Sequence, residues 1–393
     1  MNRFSQIEYE QRWQRVLTRM HERGHGLALV WGKTAGSYER SGDLLYLSNF
    51  YSTQSGQEPD SPLWNARSFA AVVLEPGGVP ELHVDDRALN LEVLPTDRVH
   101  AHFDVIAGVA QALKKRGDVG PVAMVGSDFL PVKYMRQLET LCPGTEFIFD
   151  DDLVREVRKI KSSAELDCYR EGGAIAASAL NILIENLVTG KTQAEAAAAA
   201  GFEMTRQGAS WRRMIMNHGD QLERLEREPL SGLGHDAPKP TDFVRAWVDG
   251  IFEGYWLDPG RTAVCGGAPS AEQKRIVETT VGICEQLREH IRPGVKVMEV
   301  ALLGDQLVED SGYGENRVQE SWPYYGHGLG CMWEPPLIEK LCCTSEETFE
   351  AGMVLGAECF LGAEQLGIVG YEDNFIVTES GTEIITPARQ IWW

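Results

Sequence analysis

Four C-terminal segments constrain the fold of this chain more than any other feature. In each of them an acidic or imidazole side chain stands among apolar residues and glycine; the segments are GYWLDPGRT (254–262), YGHGLG (325–330), GAECFLG (356–362) and GYEDNFIVTE (370–379). Short and mostly apolar runs of this kind predict buried strands. Because an ionised group in a buried strand is costly unless it is paired or bound to a cation, the segments predict a polar site inside a sheet.

The side chains that carry the chemistry are Asp258, His327, Glu358 and Glu372. Three carboxylates cannot all ionise in a dry site without a cation, and together with one imidazole they form a donor set typical of Mn, Fe, Co or Zn. Glycines on both sides of His327 let the backbone approach closely while the imidazole faces a cavity. Taken singly, Asp258 can instead pair with Arg261, and His327 can be structural.

Composition defines the class of protein and excludes several partners. The chain has 393 residues, of which 43% are hydrophobic and 24% charged, with a formal net charge of -21. These values predict a globular protein of two domains, and the negative charge argues against nucleic acid or an anionic membrane as a partner. Eight cysteines without a CxxC pair predict free thiols. A charged N-terminal sequence and the lack of a long apolar run predict a cytoplasmic protein without a membrane span.

Residues 1–155 are predicted to form a separate α/β domain. Short strands alternate with helical stretches such as 105–116, and the strands are predicted at 26–31, 69–75, 81–84 and 122–126. The composition then changes near residue 155.

Residues 156–393 are predicted to form an α+β domain. Ser162 and Glu165 have the spacing of a capping box that begins a long helix. Further helices are predicted at 271–291 and 296–310, and strands are predicted at 242–264 and, as a set of short strands, from about 323 to 392.

The four segments, in this order, resemble the M24 "pita-bread" metallopeptidase superfamily, which includes methionine aminopeptidase, aminopeptidase P, prolidase and the metal-free creatinase. The segment RKIKSSAEL (158–166) resembles the interdomain segment of the same family. The resemblance covers essentially the whole chain and implies an α+β fold, with a pita-bread catalytic domain at 156–393 and a smaller α/β creatinase-type domain at 1–155. It also implies a homodimer.

The resemblance implies a metal site from which this sequence departs at one position. Peptidases of the family hold two metals with an Asp, a second Asp eleven residues later, a His in a GHG-type motif and two Glu. The last four positions match Asp258, His327, Glu358 and Glu372. The first falls on Trp247, which cannot bind a metal, so one divalent ion (Mn, Fe, Co or Zn) or none is expected instead of two.

Asp249 is the candidate for a displaced fifth ligand. It lies two residues after Trp247 on the same predicted strand, so both side chains are expected on one face. An additional Asp near this place also resembles the dimethylsulfoniopropionate lyases of the superfamily, which use one metal on a non-peptide substrate. The alternative is a solvated turn residue.

Two more departures point away from peptide substrates. Trp333 stands where the peptidases usually have a His before Glu334, and Gly370 stands where they have an Arg before the last metal Glu. Trp247 in AWVD and Trp333 in GCMWEPP are predicted to form aromatic walls of a substrate cavity, and the alternative is that both belong to the core.

His235 in SGLGHDAPKP (231–240) resembles the family's upstream histidine, which contacts substrate or moves a proton. His218 in MNHGD (216–220) is the competing candidate.

The sequence thus predicts a small-molecule hydrolase or lyase that acts on a C–N or related bond of a non-peptide substrate with one divalent metal. In this hypothesis His235, His327 and Glu358 are catalytic. One alternative is an Xaa-Pro aminopeptidase or dipeptidase with a divalent metal centre. The other is a metal-free, creatinase-like hydrolase or a silent binding protein; without metal, Glu358 would act as general base, because an apolar pocket raises the pKa of a carboxylate.

Overall fold

The computed structural model describes residues 3–33, 41–51, 60–85, 89–223, 234–313, 317–363 and 366–393. The chain divides into two compact units, Met1–Arg158 and Lys159–Trp393. Each unit has its own sheet and its own hydrophobic core. Within the described residues, no helix is both long enough and apolar enough to cross a membrane.

The first unit is a mixed sheet with helices between its strands. Its helices are α1 (Gln6–Glu22), α2 (Gly42–Ser48), α3 (Val105–Arg116), α4 (Val132–Leu141) and α5 (Asp152–Arg158). Its strands are β1 (Leu27–Lys33), β2 (Phe69–Leu74), β3 (Glu81–Val84), β4 (Val99–Ala101), β5 (Val122–Val125) and β6 (Phe147–Phe149). The strand order is β4-β3-β2-β1-β5-β6, antiparallel between β1 and β2 and parallel between β1 and β5. The strands and the helix predicted for this part of the chain are confirmed, within a few residues at their ends.

The second unit combines long helices with a larger sheet. Its helices are α6 (Ser163–Val188), α7 (Gln193–Arg206), α8 (Ala271–His290), α9 (Val297–Asp310) and α10 (Arg317–Ser321). Its strands are β7 (Ser210–His218), β8 (Phe243–Phe252), β9 (Tyr255–Leu257), β10 (Gly260–Val264), β11 (Gly326–Leu329), β12 (Trp333–Leu337), β13 (Val354–Ala363), β14 (Gly367–Thr378) and β15 (Gly381–Ile384). The capping box predicted at the start of α6 is confirmed: Ser162 Oγ accepts from the Glu165 backbone N–H, and Glu165 accepts from the Ser162 N–H.

The sheet of the second unit has the strand order β12-β11-β13-β14-β10-β8-β7, with β15 paired to β14 and β9 paired to β8. Helix α8 packs against β13 and β14, and α6 packs against β8. Side chains from α8, α9, β13 and β14 share one hydrophobic core. Glu358 and Glu372 lie on the neighbouring strands β13 and β14 inside this sheet, with β11 and β10 on either side of them.

Two of the strands after residue 323 are long, so the prediction of only short strands there is wrong. β13 has ten residues and β14 has twelve, and they pair without a break from Val354 opposite Ile376 to Ala363 opposite Gly367. Nearly every residue of both strands is buried. A strand that is buried on both faces shows a continuous apolar run, so periodicity does not mark where it ends.

Candidate metal centre

The pairing of the central strands brings the predicted site residues into one row. Glu358 on β13 is the cross-strand partner of Glu372 on β14. Glu372 is the partner of Gly260 on β10, and Gly260 is in turn the partner of Trp247 on β8. Directly opposed residues in a sheet point their side chains to the same face. Glu358, Glu372 and Trp247 therefore face one cavity.

Asp258 and His327 complete the cluster. His327 Nε2 lies 3.3 Å from Asp258 Oδ2 and 3.9 Å from Oε1 of both Glu358 and Glu372. Asp258, His327 and Glu372 each offer a ligand atom within 4.8 Å of the other two, and all three residues are buried. Two ligands at about 2.1 Å from one metal lie about 3–4 Å apart. The donor atoms thus fit a single divalent ion, and two carboxylates with one imidazole suit Mn, Fe, Co or Zn.

Hydrogen bonds outside the cluster fix the orientation of the donors. Nδ1 of His327 lies 3.2 Å from the Gly328 carbonyl oxygen, so this nitrogen is assigned the proton and Nε2 keeps its lone pair toward the carboxylates. Asn374 Nδ2 donates to Asp258 Oδ1 at 2.9 Å and to Glu372 Oε1 at 3.3 Å. The Asn374 Oδ1 accepts from the Asp258 backbone N–H at 2.8 Å, which holds the amide in place.

Trp247 reaches Glu372 by crossing over a glycine. Its Nε1 donates to Glu372 Oε2 at 2.7 Å, and its ring stacks on Phe360 with the centroids 5.3 Å apart. A Cβ added at Gly260 would lie 1.9 Å from the indole, and a Cβ at Gly370 would lie 2.6 Å from it. Trp247 and Gly370, the two positions that differ from the family pattern, therefore depend on each other. The indole of Trp247 fits only because Gly370 has no side chain.

A second indole holds the other glutamate. Trp322 Nε1 donates to Glu358 Oε1 at 2.5 Å, and its ring packs edge-on against His327 at 6.2 Å between centroids. Trp322 is half-buried, whereas Glu358 is 3% exposed. Each glutamate of the cluster thus accepts one hydrogen bond from a tryptophan.

Burial raises the pKa of both glutamates. Desolvation raises the pKa of Glu358 to about 7, although the nearby His327 and the hydrogen bond from Trp322 act in the opposite direction. Desolvation and the charges of Asp258 and Glu358 raise the pKa of Glu372 well above its usual range. A bound divalent cation would stabilise the ionised form of these groups.

The raised pKa of Glu358 predicts how the stability of the metal-free protein depends on pH. Between its ordinary value of 4.5 and about 7, the folded protein holds a proton on Glu358 that the unfolded chain releases. The free energy of unfolding should therefore fall as pH rises through this window, by about 3 kcal/mol from this group. Thermal unfolding of chelator-treated protein at pH 4.5–8 measures the slope. Glu358→Gln should make the slope shallower, while the raised pKa values of Glu372 and Asp249 maintain part of it. An unchanged slope in this variant would contradict the assignment.

Asp249 lies in the same cavity, but its carboxylate is paired with Arg213. The two residues are cross-strand partners on β8 and β7, and Arg213 Nε donates to Asp249 Oδ2. Asp249 is 1% exposed, and desolvation raises its pKa to about 6 although Arg213 acts to lower it. Asp249 is not one of the three residues whose donor atoms converge. Its predicted role as a metal ligand stays a prediction.

Neither histidine predicted to move a proton lines the cavity in the part of the chain that the structure describes. His235 is exposed, and Ser231–Leu233 of its motif lie outside the described residues. His218 ends β7 and is buried, and desolvation lowers its pKa. Position alone therefore gives no support to proton transfer by His235, and this role stays a prediction.

The cavity has a volume of about 30 Å³, which is room for an ion or a water molecule. Its described walls are Arg213, Ile215, Trp247, Asp249, Asp258, Trp322, His327, Trp333, Glu358, Phe360 and Glu372. Trp247 and Trp333, predicted to contact substrate, are both in this set.

Asn374 was missed by sequence reasoning although it follows Glu372 by two residues on one strand, a spacing that predicts the same face. Trp322 carried no comparable signal, since only tertiary packing brings it to Glu358.

A second group of potential ligands lies in the first unit. Ligand atoms of Glu81, His83 and His100 lie within 4.8 Å of one another. Glu81 is already paired with the guanidinium groups of Arg98 and Arg116. Desolvation and the neighbouring imidazoles lower the pKa of His83 to about 3. Because two fixed positive charges beside the carboxylate oppose a cation there, we assign the candidate metal centre to the second unit.

Comparison with known proteins gives a family and several relatives. The model of metallopeptidase family M24 matches residues 167–379, which is more than half of the chain. An Xaa-Pro dipeptidase of Pyrococcus horikoshii is 27% identical over 277 residues, covering 66% of this chain and 72% of the relative. A putative dipeptidase of Bacillus subtilis, YkvY, is 25% identical over 384 residues, covering 95% of this chain and 97% of the relative.

Solved structures show the same fold over nearly the whole chain. An Xaa-Pro dipeptidase from Bacillus anthracis matches with a TM-score of 0.78 at 22% identity, covering 97% of this chain and 98% of that one. A prolidase from Pyrococcus horikoshii matches with a TM-score of 0.76 at 20% identity, covering 96% and 99%. The predicted α+β fold, with a pita-bread domain and a smaller α/β domain, is confirmed.

Proposed function

Since this chain belongs to metallopeptidase family M24, we propose that it is a metal-dependent hydrolase that cleaves an amide bond in a dipeptide or a similarly short substrate. The observation that carries this proposal is the buried donor set of Asp258, His327 and Glu372 beside Glu358. The relatives reported above are named as dipeptidases, which supports peptide hydrolysis over the predicted lyase or creatinase-like chemistry.

The residues of the cluster divide into two roles. A divalent ion held by Asp258, His327 and Glu372 would polarise a substrate carbonyl and lower the pKa of water. Glu358 is the group placed to move a proton, because it lies 3.9 Å from His327 Nε2 but is not one of the three residues whose ligand atoms converge. The hydrogen bond from Trp322 holds the Glu358 carboxylate in position. His327 directs Nε2 toward the carboxylates, so it serves as a ligand.

The contact of Trp247 supports one ion at this site. Its indole N–H occupies Glu372 Oε2, so this oxygen is already hydrogen-bonded on the side away from His327. The indole also fills the space beside Gly260 and Gly370. A second cation would have to displace both the hydrogen bond and the ring.

The aromatic walls of the cavity favour a second candidate function, the hydrolysis of a C–N bond in a non-peptide small molecule. Trp247, Trp333 and Gly370 stand where peptidases of the family carry polar side chains, and Trp247 and Trp333 line the cavity. Aromatic walls suit a planar ring or an organic cation. This candidate shares the metal and Glu358 with the first and differs only in substrate.

Removing the metal should abolish hydrolysis. The substrates that the metal-loaded protein turns over should distinguish the two candidate functions. We expect chelator-treated protein to lose at least about a hundredfold of its activity and to regain it with Mn or Co. The measurement is turnover of Xaa-Pro dipeptides, other dipeptides and non-peptide amides and amidines, with bound metal quantified in the same samples. Cleavage of non-peptides alone would select the second candidate. Turnover that survives complete metal removal would contradict both.

A homodimer and a cytoplasmic location were also expected and stay predictions. Sedimentation equilibrium of the purified chain tests the first.

A further inference from the structure

A buried ion pair lines the cavity next to the metal cluster. Arg213 on β7 and Asp249 on β8 are direct cross-strand partners, and the neighbouring pair on the same face is Ile215 with Trp247. All four residues line the cavity. Asp249 faces inward with 1% of its side-chain surface exposed, whereas 26% of the Arg213 side chain is exposed. The Asp249 carboxylate is therefore enclosed, whereas part of the Arg213 side chain is in contact with solvent.

A β-bulge decides which of two adjacent arginines faces the cavity. The register of β7 against β8 shifts between Trp211 and Arg213, so Arg212 is an extra residue in its strand. Bulges re-aim side chains and are common beside active sites. Arg213 turns to the cavity, where its Cζ lies 5.4 Å from the Trp333 ring centroid. Arg212 instead lies over Trp256, at 5.7 Å.

Trp333 adds a second donor next to this guanidinium. The buried indole Nε1 of Trp333 has no hydrogen-bond acceptor among the described residues. A buried donor without an acceptor is destabilising unless a ligand supplies one. The Trp333 ring also lies 5.2 Å from the His327 ring, centroid to centroid. A ligand that accepts from Trp333 would therefore lie beside the metal cluster.

Arg213 carries the one fixed positive charge in the described cavity wall, so it is the group there that suits an anionic ligand. The described wall contains the carboxylates of Asp249, Asp258, Glu358 and Glu372, and Arg213 is its one guanidinium. Guanidinium groups bind carboxylates with paired, charge-assisted hydrogen bonds. Because the cavity of about 30 Å³ is too small for a whole substrate, the body of the substrate must lie on the open side, where part of the Arg213 side chain is exposed.

We infer that Arg213 and Trp333 form a carboxylate-binding subsite, in which a substrate carboxylate replaces Asp249 on the Arg213 guanidinium. The inference rests on the proposed function and narrows it: the substrate carries a free carboxylate close to the bond that is cleaved. Asp249 then acts as an internal carboxylate that holds Arg213 in position until the substrate binds.

Equilibrium binding of small carboxylates tests the subsite without turnover. The probes are L-proline with L-prolinamide and benzoate with benzamide, titrated calorimetrically into Mn-loaded protein. We expect each carboxylate to bind about tenfold or more tightly than its amide, the usual effect of a charge-assisted hydrogen bond. Arg213→Gln should remove the preference. Arg212→Gln is the matched control and should keep it.

Asp249→Asn should change the affinity for the carboxylate probes in the opposite direction to Arg213→Gln. Without its internal partner, Arg213 should bind the carboxylate probes several-fold more tightly, while the metal content stays at the wild-type value. If Asp249 is a metal ligand instead, this variant loses metal and the inference fails. It also fails if no carboxylate is preferred, or if Arg213→Gln and Arg212→Gln behave alike. A preserved preference in a protein that hydrolyses nothing would leave the subsite standing and refute the proposed function.

Discussion

Asp258→Asn should leave the purified protein without its divalent ion and lower hydrolysis by about three orders of magnitude. The amide keeps the size of the carboxylate but lacks the negative charge, while Asp258 Oδ2 is the atom 3.3 Å from His327 Nε2. Losing one of three converging donors from a buried site removes both charge and geometry. Elemental analysis of protein purified without chelators or a metal-binding tag measures the first effect, and steady-state turnover measures the second.

Two further variants separate metal binding from proton transfer. Glu358→Gln should keep the ion bound by Asp258, His327 and Glu372 but reduce turnover about 10²–10⁴-fold, the range for loss of a general acid or base. Asp167→Asn is the surface control, because Asp167 is exposed and pairs with Arg170. Metal retained in Asp258→Asn, or equal metal loss in Asp167→Asn, would contradict the assigned site.

Trp247→Asp should raise the metal content from one to two ions per chain. The substitution frees Glu372 Oε2 from its hydrogen bond with the indole and places a new carboxylate over Gly260. Loss of the ring also removes the stacking on Phe360, so the metal-free variant should be less stable by about 3–5 kcal/mol. Added metal should recover part of this stability by mass action. Elemental analysis measures the metal content, and thermal unfolding with and without Mn measures the change in stability.

Trp247→Phe is the matched control for this experiment. It keeps an aromatic ring beside Phe360 but lacks the N–H donor and adds no ligand. This variant should therefore still bind one ion. Two ions in Trp247→Phe would mean that the hydrogen bond alone excludes the second ion, and one ion in Trp247→Asp would show that the surrounding packing prevents a second site.

The residues of the buried cluster stand out in the sequence because their signal is local. Asp258, His327, Glu358 and Glu372 are polar residues in short apolar segments, and burying an ionisable group without a partner is costly in any fold. The segments also match a known family in order, and the family is confirmed. The lengths of β13 and β14 were not predictable in the same way, since both faces of these strands are covered by other parts of the chain.

The sequence by itself determined the kinds of donor and the segments that hold them, and it predicts that Trp247 stands at a ligand position of the family. Only the tertiary structure decided where the Trp247 side chain lies, because the indole reaches Glu372 across a third strand whose partner residue is Gly260. Only the strand register decided that Arg213, and not Arg212, faces the cavity. Side-chain type and spacing are local properties of a sequence. The residue opposite a given side chain depends on how distant strands align, and a bulge of one residue changes it.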